Sequence, residues 1–108
     1  MERIYSHYLG EEVELPAERE QHIGGRHPDL IPDYRDLMLQ TVIDPDAVRR
    51  SIRFPDARLF SRWYTDLRGG KHVVVVIVSD PSPPPRNWII TGYMTSSLPS
   101  GETEWQRS

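Results

Sequence analysis

The chain has 108 residues, no cysteine and a formal net charge of −3 from 13 basic and 16 acidic side chains. That length supports one domain with one modest core, and the absence of cysteine excludes disulfides, thiolate nucleophiles and cysteine-based zinc sites. The longest apolar run, residues 73–78, has six residues against the ~20 needed to span a bilayer, and the N-terminus carries no apolar signal core. A soluble cytoplasmic protein with no membrane partner is therefore expected. The net charge argues against a uniformly basic nucleic-acid binder, although a local patch matters more than the total.

Ten prolines punctuate the chain and help to place the element boundaries. Residues 1–12 are mixed and charged and read as a flexible N-terminal segment, with Ile4, Tyr5 and Tyr8 lying on the domain. Val13 and Leu15 alternate with Glu12 and Glu14, as in a short edge strand with one polar face. Pro16 suits the first turn of a helix over residues 17–23, with Glu18 and Glu20 near its positive end. Gly24 and Gly25 read as its stop. Asp33 is a good N-cap for a second helix, along which Tyr34, Leu37, Met38, Thr41 and Val42 share one face. Asp44-Pro45-Asp46 ends that helix, with room for one further turn through Val48.

After Ser51 the period changes from helical to alternating. Residues 57–64 read as a strand, with Arg62 and Tyr64 on one of its faces. Gly69 and Gly70 mark a hairpin loop, and residues 72–78 are rich enough in valine to be a central strand covered on both faces. The stretch Asp80-Pro-Ser-Pro-Pro-Pro-Arg86 lacks the N–H groups a strand needs and reads as a stiff loop. Residues 87–94 form the last clear strand, with Thr91 and Tyr93 on one face, and the polar tail 96–108 is expected to fray. The expected fold is α+β: N-terminal helices packed on one face of a small antiparallel meander of about four strands, a single domain over residues 13–95.

Three constellations carry chemistry. His22, Arg26 and His27 cluster about a helix end, and an imidazole titrates near neutrality and can move protons; the plain alternative is histidines that cap carbonyls. Arg62 with Tyr64 suits an anion, since a guanidinium binds phosphate in bidentate fashion; the plain alternative is an ordinary solvent-facing strand. Thr91 with Tyr93 repeats that spacing, with residues common in any strand. His22, His27 and Asp29 could hold a metal ion, but no helical His-x-x-x-His pair or glutamate partner supports it, so neither metal nor cofactor is expected. Arg49, Arg50, Arg53 and Arg58 form a basic stretch that could meet phosphates or serve as a solvated face.

The ordered set of His22-Ile23-x-x-Arg26-His27-Pro28, Asp44-Pro45-x-x-Val48, Arg62-x-Tyr64, the valine strand and Thr91-x-Tyr93 resembles the barnase–EndoU–colicin–RelE-like nucleases, including phage-associated members. The resemblance spans roughly residues 13–95. It implies helices against a four-stranded antiparallel sheet and metal-independent RNA cleavage, toxin-like or phage-related. Carried onto this chain, it makes His22 or His27 the general acid/base and Arg62 the group that stabilises the phosphorane. Arg26, Tyr64, Thr91 and Tyr93 would hold the substrate. RNA and an inhibitor or antitoxin protein are the partners implied. The alternative is a non-catalytic binding module that uses the same cleft for a protein partner or a small anion.

Overall fold

The computed structural model describes all residues, Met1–Ser108. In chain order the elements are β1 (Glu2–Ser6), β2 (Glu11–Leu15), α1 (Ala17–Arg26), α2 (Arg35–Ile43), β3 (Ala47–Arg50), β4 (Ala57–Tyr64), β5 (Lys71–Asp80), β6 (Arg86–Thr95) and β7 (Glu102–Gln106). The strands form one seven-stranded sheet in the order β1-β2-β6-β5-β4-β3-β7. It is mixed, because β2 runs parallel to β6 through the pair Glu14 and Trp88 while every other neighbour is antiparallel.

This corrects the expected four-stranded antiparallel meander with N-terminal helices. Three strands were hidden, each for a physical reason. β1 buries only Ile4 and Ser6; it forms because Gly10, at φ +68°, turns the chain back onto β2, a backbone conformation that costs glycine little. β3 continues no helix: Val48 is fully buried and pairs with Phe60 of β4, so tertiary pairing overrides the local pattern. β7 lies in the tail expected to fray and is held on the outer edge of β3, with a register break between Val48 and Arg49.

The helices differ in detail too. α1 runs through Gly24 and Gly25 to Arg26, closed by the His27 N–H donating to the Ile23 carbonyl at 2.6 Å. Residues 28–34 turn rather than cap, and α2 begins after Tyr34 with no side-chain cap from Asp33. α1 packs along β6, and α2 packs on β5, β4 and β1. Ile23, Leu30, Met38 and Val42 meet Val73, Val75 and Ile77 of β5, Phe60 of β4 and Ile89 of β6 in one core. Gly92 admits that packing: a Cβ there would sit 3.1 Å from the Met38 sulfur.

Pairing assigns every strand residue to a face, because directly opposed residues share a side. Arg62 pairs with Val73 and Phe60 with Val75, so Phe60, Arg62 and Tyr64 lie on the helix-covered side. Thr91 pairs with Val76 and Tyr93 with Val74, placing them on the other side with Ser61, Trp63 and His72. Part of that second side is crossed by residues 96–101, with Arg49 Nη1 donating to the Pro99 carbonyl (2.9 Å) and Gly101 against the Arg49 and Leu59 side chains.

Candidate functional site

The seven residues singled out from sequence fall in two places. Arg62 and Tyr64 are occupied inside the fold. Arg62 Nη1 donates to the Asp44 carbonyl at 3.1 Å and lies 3.7 Å from the Asp44 carboxylate, closing the C-terminal end of α2. Its guanidinium stands over the Tyr64 ring, 5.4 Å from the centroid. The Tyr64 hydroxyl donates to the Leu37 carbonyl at 2.9 Å and sits 3.1 Å from Thr41 Oγ1. Burial pushes the Tyr64 phenol up, more than its bond with Thr41 pulls it down. These two side chains fasten β4 to α2. The pair faces the helices rather than open water, as a half-buried strut between β4 and α2.

His22, Arg26, His27, Thr91 and Tyr93 lie at or beyond the other edge of the packed core. His22 and Arg26 are exposed and one helical turn apart in α1, so they share a face. His27 follows at the helix end, its ring 5.9 Å from that of Tyr93 at an interplanar angle of 34°. Tyr93 is half-buried, and burial pushes its phenol up. Thr91 stands two residues back on the same strand face. The end of α1 thus brings the His27 imidazole against the Tyr93 phenol of β6, with Arg26 next to it in the chain. No hydrogen bond or ion pair engages Arg26, His22 or His27 side chains, unlike Arg62. Arg62 lies on the other side of the sheet from Thr91 and Tyr93 and is held by Asp44.

Two further groupings were missed from sequence. On the second side of the sheet His72 meets Trp63 edge-on, 4.8 Å between ring centroids, and burial pulls its imidazole below the ordinary value. A lone histidine at the head of a valine run is the only signal of it. At the far end of the sheet, the β1–β2 turn, residues 51–56 and the proline loop surround a cavity of about 510 Å³. Beside it Tyr8, Arg50 and Arg58 all converge on the Glu104 carboxylate. Arg50 and Arg58 belong to the basic stretch noted in the sequence; their acidic partner could not be foreseen from a tail expected to fray. No three His, Cys, Asp or Glu side chains group closely enough to hold a metal ion, and no helix is long and apolar enough to cross a membrane. No family model, no curated protein and no solved structure matches this chain.

Proposed function

We propose that this chain is an RNase-like domain that cleaves RNA by general acid/base catalysis, with its reacting surface where the end of α1 meets β6. The observation that carries this reading is the His27 ring seated against Tyr93, one residue from the unengaged Arg26. His27 takes the proton from a ribose 2′-hydroxyl, and the freed oxygen attacks phosphorus. The 5′-oxygen leaves and takes a proton from His22, the exposed imidazole of α1. Arg26 neutralises charge that develops on the phosphorane, while Tyr93 and Thr91 position the nucleotide, the ring by stacking and the hydroxyls by hydrogen bonding. The resemblance to metal-independent nucleases supports the same chemistry, with Arg26 in the place first given to Arg62. RNA in the cytoplasm is the substrate this reading implies, and an inhibitor or antitoxin protein would act by covering the α1 end.

The test is cleavage of a labelled RNA by the purified protein, with and without chelator. Cleavage should survive the chelator and fall by at least ~10²-fold in His27→Ala, the usual worth of a positioned proton-transfer group. Arg62→Gln that remains folded should cleave like the parent. The second reading is the non-catalytic binding module, favoured by Arg62 being tied to Asp44, which leaves one arginine beside the imidazoles. RNA that is bound but never cut, with binding lost in Arg26→Ala, would establish that reading instead.

A further inference from the structure

The Glu104 carboxylate is the most heavily engaged anion in the molecule. It takes Arg58 Nε at 2.8 Å and Arg50 Nε at 3.1 Å on its two oxygens, and the Tyr8 hydroxyl donates to it as well. Two guanidiniums and a phenol converging on one point are the donor set of an oxyanion site, since they can address more oxygens than a carboxylate has. The anion that fills it comes from β7, the last strand, which pairs only with β3 across a broken register and leaves Glu102, Thr103 and Gln106 exposed. One terminal nitrogen on each guanidinium has no partner, because Arg50 Nη1 is spent on the Pro55 carbonyl and Arg58 Nη1 on Ser79 Oγ.

Both guanidiniums also line the 510 Å³ cavity, a volume suited to a small metabolite. Its opposite side is acceptor-rich. Glu11 takes one bond from Asn87, Asp80 accepts from the Ser82 N–H, and Asp56 is exposed with no side-chain partner. A purely anionic ligand would be repelled there; a ligand with an anion at one end and N–H donors at the other fits both sides.

We propose that this cleft binds a phosphate monoester bearing N–H donors, of the class of an amino-substituted nucleoside monophosphate, and that Glu104 is its built-in competitor. The phosphate takes the place of the Glu104 carboxylate between Arg50, Arg58 and Tyr8, and the donors face Glu11 and Asp56. A tethered competitor lowers apparent affinity by the fraction of time that the site is filled, so removing its charge raises affinity. The proposal stands apart from RNA cleavage and shares no residue with it.

Trp105 follows Glu104 and lies 5.7 Å from the Tyr8 ring, so its emission reports displacement of β7. The experiment titrates inorganic phosphate, ribose 5-phosphate and adenosine 5′-monophosphate into the full chain by calorimetry, with emission read in parallel. Saturable binding is expected for the nucleotide, with an emission change that vanishes in Trp105→Phe. Glu104→Gln should tighten phosphate by about tenfold, and Arg50→Ala added to it should reverse the gain. Arg50 is nearly half-exposed, so this variant keeps the fold, as a thermal melt will verify. Absence of tightening in Glu104→Gln, or tightening that survives Arg50→Ala, overturns the site. A nucleotide that binds no better than ribose 5-phosphate overturns the assignment of donors to Glu11 and Asp56.

Discussion

Arg62-x-Tyr64 on β4 and Thr91-x-Tyr93 on β6 have the same spacing and similar chemistry, yet the fold uses them in opposite ways. The β4 pair faces the helices and spends its polar atoms on Asp44, Leu37 and Thr41. The β6 pair faces away from them, and Tyr93 meets only His27 among the rings. A polar pair on a strand is therefore structural or available according to which side its partner strand assigns it. In the first pair the Tyr64 hydroxyl and Arg62 Nη1 already have acceptors, so a ligand would have to compete with α2 for them. In the second, the neighbouring imidazole and guanidinium retain their hydrogen-bonding capacity.

Substitutions on the two sides should separate stability from activity. The largest effect is expected of Val75→Asp, at a fully buried position of β5 beneath α2. An unpaired buried charge costs several kcal/mol, on the order of the whole ~5–15 kcal/mol of folding stability, so circular dichroism should show no cooperative melt; a soluble, cooperative variant would mean that the core is misplaced. Next is Gly92→Leu, which crowds the Met38 sulfur and the Leu30 side chain. Overpacking of this kind costs roughly 1–3 kcal/mol in a denaturant titration. Tyr64→Phe removes the hydroxyl between Leu37 and Thr41 and should cost about 1 kcal/mol while sparing RNA cleavage. Tyr93→Phe should change stability little and impair cleavage, so a stability loss as large as that of Tyr64→Phe would erase the distinction between the two sides.

The smallest effect is a pH dependence at the end of the sheet. Burial pushes the Glu104 carboxyl up, but its bonds from Tyr8 and Arg58 outweigh this and hold it below the ordinary value. Its contribution to folding is therefore present above the unfolded carboxyl range, near pH ~4.3, and is lost as pH falls through the lower folded value. Burial, and then the Glu104 bond, push the Tyr8 phenol up to about 12. That contribution is present below pH ~10 and is lost as pH rises towards the folded value. Trp105 emission should be flat between those limits and change at both ends; a change centred near neutrality would contradict this assignment.

The long strands were legible because Val73 to Val78 are β-branched without a break and the flanking strands alternate about Phe60 and Ile89. β1, β3 and β7 were not, because each is short and charged and forms through its neighbour: Val48 is a strand residue only opposite Phe60. α1 outlasts its glycines because the His27 N–H closes the last turn onto Ile23. At the site, the spacing of two showed that Arg62 sits with Tyr64 and Thr91 with Tyr93. It could not relate the pairs to each other, since that depends on whether Arg62 and Thr91 meet β5 at positions of the same parity. They meet it at Val73 and Val76, three residues apart, which puts them on opposite sides. The approach of His27 to Tyr93 needed the path of α1 along β6, and no local pattern encodes that.

The proposed proton transfer belongs to the α1 end and not to the Arg62 strut. Its most direct test is the initial rate of cleavage of one labelled RNA by three folded proteins, the parent, His27→Ala and Arg62→Gln, in the presence of chelator. A loss of at least ~10²-fold is expected for His27→Ala, and a parental rate for Arg62→Gln. Equal rates for parent and His27→Ala, or a loss confined to Arg62→Gln, would contradict it.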